Sequence, residues 1–284
     1  MSESGEREEA RHGPELGRRE RRKADEEQSL DADTTHEVIR REGEEELKRS
    51  PAALAWSGVA AGLAMGFSFV GEALLHHHLP RAEWAPLVSK LGYSFGFLIV
   101  ILGSQQLFTE NTLTAVVPLL SERTRAKLAS VARLWGVVLA ANLVGAFLFA
   151  LVLARTELFD ADVHRSFAEI GERALESPFW TTLLRAVFAG WLIALMVWML
   201  PAAQSGHVLV IVAMTWLVGV GRFAHVIAGA VEVFYLVASG ALGIGAAFGR
   251  FIVPALIGNV IGGVALVSAL NHAQVIAGGG KRGG

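Results

Sequence analysis

The sequence predicts an all-α integral membrane protein with six membrane-spanning helices, two of them interrupted at membrane depth. Three observations carry this. The chain is 52% hydrophobic and 18% charged, with a mean hydropathy of +0.44, too apolar for an ordinary soluble domain of 284 residues. From Pro51 onward apolar runs recur at lengths suited to a hydrocarbon core about 30 Å thick, which takes about 20 helical residues. Two of those runs are too long for one simple crossing and carry polar or glycine-rich stretches in the middle.

The charge divides the chain in two. Residues 1–50 hold 11 Lys/Arg and 16 Asp/Glu, with few aromatic or β-branched side chains. Such a segment cannot bury enough apolar surface to offset the entropy of ordering, so it reads as a disordered, solvated tail. Its last part, "THEVIRREGEEELKRSP", is compatible with a surface helix, because Val38, Ile39 and Leu47 lie near one face. The N-terminus lacks a signal-peptide pattern, so the tail is expected to stay with the mature protein. Cysteine is absent, which excludes disulfides and thiolate chemistry.

The channel domain is expected over residues 51–272 and a short Gly-rich tail over 273–284. The first span runs roughly from Ala52 to Leu75, with Gly58, Gly62 and Gly66 recurring every fourth residue to let helices approach closely. The second runs from Val88 to Leu120, the third from Leu128 to Ala154, the fourth from Phe179 to Leu200, the fifth from His207 to Val237 and the sixth from Phe251 to Leu270. "GNVIGG", Gly258 to Gly263, repeats the small-residue pattern in the sixth. Trp56, Trp84, Trp135, Trp180, Trp198 and Tyr93 fall near span ends, where interfacial anchors belong.

Orientation follows from Lys and Arg in the short loops. The loop after the second span, "SERTRAKLASVAR", carries Arg123, Arg125, Lys127 and Arg133 against Glu122 alone. The loop after the third carries six acids and three bases. The first is therefore placed in the cytoplasm and the second outside. Lys48, Arg49, Lys281 and Arg282 agree with both termini being cytoplasmic, as in a cell-membrane protein with an even number of crossings.

The interruptions point to function. "ILGSQQLFTENTL", Ile101 to Leu113, brings Ser104, Gln105, Gln106, Thr109, Glu110 and Asn111 to membrane depth. "LVGVGRFAHVIAG" does the same for Arg222 and His225 in the fifth span. Non-helical backbone survives in a bilayer only when packed in protein or lining a wet cavity. Two broken helices in corresponding halves point to an inverted repeat with a transport site at the midplane.

At these residues a family resemblance emerges. "LFTEN" (Leu107 to Asn111), "AANLVGAFLF" (Ala140 to Phe149), "RFAHVIAG" (Arg222 to Gly229) and "PALIGNVIGGV" (Pro254 to Val264) resemble the formate/nitrite transporter family in four spans and in the right order. The resemblance implies an aquaporin-like six-helix protomer and a homopentamer with one pore per protomer. It also implies passage of small monovalent weak-acid anions such as formate, nitrite, acetate, lactate or hydrosulfide. Carried over by motif, Thr109 is the loop threonine, Leu107 and Phe108 form the cytoplasmic constriction, and His225 is the central pore histidine. Phe97 falls at the other apolar constriction with Val218 facing it from the fifth span, and Phe223 is a further pore residue. The vestibule lysine of the family has no counterpart, since Pro178 stands at that site; anion attraction is left to Arg165, Arg173 or Arg185, or to none.

Narrow apolar rings exclude hydrated ions, so a charged substrate passes by losing its charge or its water. Desolvation favours the neutral acid, and histidine is the side chain that titrates nearest the working range. The resemblance leaves open whether His225 donates the proton or only polarises the anion. Two charges stand where the family has small residues. Glu110 and Arg222 are expected either to pair as a latch across the two interruptions or to leave Arg222 in the pore mouth attracting anions. Glu232, seven residues after His225 and on its face, is a candidate proton relay; Glu72 is a weaker one. The "HHH" at His76 to His78 reads as a solvated loop rather than a metal cluster.

No nucleophile triad, phosphate loop or metal spacing is present, so neither an enzyme nor a cofactor is expected, and no nucleic-acid partner. The leading expectation is a pentameric channel or proton-coupled transporter for a small monovalent anion, with the proton and the lipid bilayer as its other partners. The alternatives are an aquaporin-like neutral-solute channel, which the missing Asn-Pro-Ala repeat disfavours, and a membrane scaffold that does not transport.

Overall fold

The computed structural model describes residues 32–270 and 273–274. The charged segment 1–31 and all but the first two residues of the expected C-terminal tail lie outside that range. The described residues are helical with short connections and no strand.

The first helix, α1 (Ala32–Lys48), corrects the expectation of a solvated tail through residue 50. Thr35, His36, Ile39, Gly43 and Leu47 form a buried face, at the spacing that puts residues on one side of a helix. A Cβ on Gly43 would meet the Thr114 carbonyl oxygen at 1.9 Å, so α1 lies directly on the backbone of the second span. Arg133 donates to the carbonyls of Leu47 at 2.7 Å and Arg49 at 3.1 Å. These are carbonyls that the end of α1 would otherwise leave bare. Lys127 bonds Glu44 at 2.8 Å. The face marked in the sequence by Ile39 and Leu47 is thus packed on the bundle and not left to solvent.

Helix α2 (Pro51–His78) starts at a Ser50 cap whose Oγ accepts the Ala53 N–H, with Pro51 in the first turn, where a missing donor costs nothing. The second apolar run comprises α3 (Ala85–Ser89), α4 (Ser94–Leu102), α5 (Asn111–Thr114) and α6 (Val116–Ser121). Then come α7 (Arg125–Arg155), capped by Thr124, and α8 (Ala161–Ala174), which lies between crossings. Helices α9 (Phe179–Ala203) and α10 (His207–Val220) form one apolar stretch that folds back at Gln204, where φ is +42°. The chain continues through α11 (Val226–Ala238), α12 (Ile244–Ala247) and α13 (Val253–Val260), with π-helical turns at Phe248–Ile252 and Ile261–Ala269.

Among the described residues, five helical stretches are long and apolar enough to cross a membrane: Pro51–His78, Ala85–Leu102, Arg125–Arg155, Phe179–Val220 and Ile244–Ala265. Asn111–Ser121 and Val226–Ala238 are shorter apolar helices. Trp56, Trp180, Leu184 and Leu209 are exposed, as the outside of a bundle that meets lipid or a neighbouring subunit requires. Helix α1 and the start of α7 gather at one end of the bundle. The α2 end and α8 gather at the other, joined by a 3.1 Å contact between His76 and Glu169.

The two halves are packed in the same way around two asparagines. A Cβ on Gly62 would lie 2.2 Å from the Asn142 carbonyl oxygen, and one on Gly190 would lie 2.3 Å from that of Asn259. Only glycine lets α2 approach α7, and α9 approach α13, this closely.

Candidate functional site

Both interruptions begin with the same helix end. After α4, Ser104 takes φ +50°; after α10, Arg222 takes φ +52°. In the first, the N–H groups of Ser104 and Gln105 bond the carbonyls of Ile101 and Val100. In the second, those of Arg222 and Phe223 bond Gly219 and Val218. This is the Schellman pattern, with a left-handed residue closing the helix. Neither position is glycine, so each carries strain of about 1–2 kcal/mol that the surroundings must hold.

The loops that follow are held by matching asparagines. Fully buried Asn142 accepts the Phe108 N–H at 2.9 Å and donates to the carbonyls of Gln106 at 2.8 Å and Gly58 at 2.7 Å. Fully buried Asn259 accepts the Val226 N–H at 2.8 Å and donates to Ala224 at 2.9 Å and Ala186 at 2.8 Å. In each case one side chain satisfies a loop N–H, the carbonyl two residues earlier, and a carbonyl on a third helix. Buried backbone groups need such partners.

The polar side chains of the first interruption serve the same need. Gln106 N–H donates to Ser57 Oγ at 3.0 Å, Asn111 donates to Gln106 Oε1 at 3.1 Å, Thr112 Oγ1 donates to the Thr109 carbonyl at 2.7 Å, and Trp135 Nε1 donates to the Asn111 carbonyl at 3.0 Å. Most of this polarity therefore ties loop to bundle.

Thr109 and His225 are where the two interruptions meet. Both are buried, and Thr109 Oγ1 lies 2.8 Å from His225 Nε2. His225 also caps α11, its Nδ1 accepting the Ala228 N–H at 3.1 Å. That assigns the tautomer from its partners: Nδ1 is the acceptor, so Nε2 carries the proton and donates to Thr109. Phe97 stands edge to face on the imidazole at 4.9 Å between centroids. Leu107 and Phe108 are buried beside Thr109, and Phe108 meets Trp135 edge to face at 5.7 Å.

A cavity of about 370 Å³ reaches His225 from the α8 end of the bundle. Val218, Phe223, Ala224 and Phe251 line it, whereas Thr109, Leu107, Phe108 and Phe97 do not. Its charged lining is Lys90, Arg173, Arg185, Arg222, Glu72 and Glu232. Lys90 pairs with Glu72, whose side chain is almost fully buried. Arg185 donates to Ser177 Oγ at 2.6 Å. The Nη2 of Arg173 is buried without a hydrogen-bond partner. Phe223 also stacks on Phe188 at 5.3 Å.

The structure corrects the expected latch. Arg222 bonds Glu176 at 2.6 Å in the cavity mouth, both side chains about half exposed. Glu110 makes no ion pair with it, and its Oε1 is buried without a partner. Arg222 lies at the α8 end of the bundle, whereas Glu110 sits just before α5, which packs against α1 at the other end. Of the arginines expected at the mouth, Arg173 and Arg185 line the cavity. Arg165 instead pairs with Asp162 at the surface.

The sequence reading missed Asn142, Asn259 and Lys90. The asparagines stand inside two quoted motifs, each three residues before a packing glycine, Gly145 and Gly262, and that internal echo was available. Lys90 was hidden at the edge of an apolar run.

Membrane-length apolar helices around a cation-lined cavity that stops at a buried histidine define a multi-pass membrane transporter or channel for a small solute. The model of the formate/nitrite transporter family matches residues 33–273, and the chain belongs to that family. It is 40% identical over 240 residues to inner membrane protein YfdC of Escherichia coli (strain K12), covering 84% of this chain and 77% of the relative. Among solved structures, an FNT family ion channel superposes with a TM-score of 0.74 at 17% identity, covering 84% of this chain and 98% of the other. A pentameric formate channel with formate bound superposes with a TM-score of 0.68 at 19% identity, covering 80% and 98%.

Proposed function

We propose that the chain conducts a small monovalent weak-acid anion of the formate or acetate kind through a pore in each protomer, with proton transfer to the anion on the way. The observation that carries this reading is the Thr109–His225 hydrogen bond, which closes a cation-lined cavity where the two interruptions meet. On this reading α3 to α6 make one interrupted crossing and α10 with α11 another. That gives six crossings, an inverted repeat and both termini in the cytoplasm. The matched bonding of Asn142 and Asn259 supports it, as does the likeness to a pentameric formate channel for a homopentamer.

The anion enters from the α8 end. Lys90, Arg173, Arg185 and Arg222 outnumber Glu72 and Glu232 in the lining, so the field favours an anion. At the floor the substrate meets Nε2–H of His225, held in position because Nδ1 is committed to Ala228. When Thr109 yields its bond, that N–H becomes a donor to the substrate. Beyond lie Phe97 on one side and Leu107 with Phe108 on the other. A ring of such side chains admits the neutral acid far better than the hydrated anion.

The test is uptake by proteoliposomes of formate, acetate, lactate, nitrite and hydrosulfide at two pH values, beside osmotic shrink-swell with water and glycerol. Saturable anion uptake that grows toward acid pH supports the reading. Glycerol permeation without anion uptake overturns it in favour of a neutral-solute channel.

A further inference from the structure

Two carboxylates share the wall of the cavity above His225, and the wall supplies one bonded cation for them. Glu72 on α2 takes the Lys90 ammonium through Oε1, while its Oε2 is buried with no partner. Glu232 on α11 lines the same space and makes no hydrogen bond or ion pair among the described residues. It stands seven residues after His225, hence about 10 Å further along the same helix face.

The other charges around α11 are committed elsewhere, Arg173 excepted. Arg222 bonds Glu176, and Arg185 bonds Ser177. Arg155 on α7 bonds the Ala238 carbonyl, and Arg250 bonds the Leu175 carbonyl. On α8, His164 bonds the Tyr235 hydroxyl, and Glu169 takes His76. Tyr93 lies over Lys90 at 6.0 Å. Arg173 reaches the cavity with Nη2 unpartnered and Nε given to the Glu169 carbonyl. The wall thus holds a guanidinium nitrogen and a carboxyl group that both lack a bonded partner among the described residues.

We propose that Glu232, backed by the Glu72–Lys90 pair, is the proton-loading group of the transport cycle, and that Arg173 holds the incoming anion while the proton passes. The inference rests on the weak-acid reading above and names its proton source. With Lys90 committed to Glu72, the Glu232 carboxyl stands in the cavity wall above His225 with no bonded partner, placed to take a proton from the entry side and give it to an anion. The step is Glu232–COOH plus A⁻ giving Glu232–COO⁻ plus HA: the carboxyl O–H breaks, the O–H of the neutral acid forms, and a hydronium ion of the entry-side solution returns a proton to Glu232 and leaves water. No oxidant or further reactant is needed. His225 then serves as a donor that guides HA rather than as the acid itself, in keeping with its fixed tautomer.

The experiment compares the full-length wild type with Glu232→Gln and Glu232→Asp in proteoliposomes, reading labelled acetate uptake across about pH 5 to 8 at constant sodium and then with sodium varied at constant pH. Infrared spectra of the same protein samples follow the protonated-carboxyl band. The proposal expects Glu232→Gln to lose about tenfold or more of its uptake near neutral pH, as for a general acid. It also expects far less loss at the acid end, where water supplies the proton. Glu232→Asp should keep a displaced profile. Wild type should show a protonated-carboxyl band at neutral pH that Glu232→Gln lacks. An unchanged pH profile in an assembled Glu232→Gln overturns the proposal, as does uptake that follows sodium rather than pH. If that variant does not assemble, absence of the band from wild type overturns it alone. Should wild type move no weak-acid anion at any pH, the transport reading fails, while the infrared comparison still decides whether Glu232 holds a proton.

Discussion

Replacing Asn259 by alanine removes one side chain and releases three backbone groups. The Ala186 carbonyl keeps its own bond within α9, so the groups left bare are the Val226 N–H and the Ala224 carbonyl, on either side of His225. A buried group without a partner costs about 1–3 kcal/mol, so with two such groups Asn259→Ala should destabilise the protein by about 2–6 kcal/mol. In a domain of this size that is a fall in Tm of roughly 5–15 °C. Asn142→Ala should match it, because it bares the Phe108 N–H and the Gln106 carbonyl while Gly58 keeps its helical bond. Asn259→Asp retains the acceptor for Val226 and turns the one nitrogen that donates to two carbonyls into an oxygen facing both, so it should be no better than alanine. The assay is thermal unfolding of the purified protein in detergent, with anion uptake measured alongside. The reasoning fails if either alanine variant unfolds within about 1 °C of wild type and transports normally.

Other outcomes follow from the same contacts. Lys90→Met should cost about 2–4 kcal/mol by stranding the Glu72 carboxylate, and adding Glu72→Gln should restore part of it in a thermal-stability comparison. Gly43→Ala should push α1 off Thr114, seen as faster hydrogen exchange over residues 32–48. Docking of α1 should also weaken in acid. The hydrogen bond from Lys127 holds Glu44 below its ordinary value of 4.5, so that contact is fully present above 4.5 and fades as pH falls through the lowered value. Hydrogen exchange of α1 at neutral and acid pH checks it. A double-mutant cycle between Glu110 and Arg222 should show zero coupling, whereas Glu176 with Arg222 should give about 0.2–1 kcal/mol, as exposed pairs do.

Much of the scaffold could be read from the sequence because lipid imposes length and apolarity on every crossing. The apolar runs at Pro51, Arg125 and Phe179 correspond to α2, α7 and α9. The polar island at Ser104 to Asn111 could be flagged because a bilayer gives such groups no partner. Motif resemblance then singled out Thr109 and His225, which the structure brings within a hydrogen bond. What stayed hidden depends on pairing in space. The partner of Arg222 lies 46 positions away, just past the end of α8, and no spacing rule distinguishes Glu176 from Glu110. Lys90 meets Glu72 only because the chain folds back after α2. The buried stripe of α1 was masked by charges covering its other faces, and its role became visible only against Thr114 and Arg133.

The central claim is that substrate passes the Thr109–His225 junction and depends on the ring. Its most direct test is acetate and formate uptake by proteoliposomes containing assembled His225→Asn, set against wild type at acid and neutral pH. The account predicts uptake abolished or greatly slowed at both, with the oligomer intact. Wild-type rates at both pH values would show that the histidine only caps α11, and would contradict the mechanism.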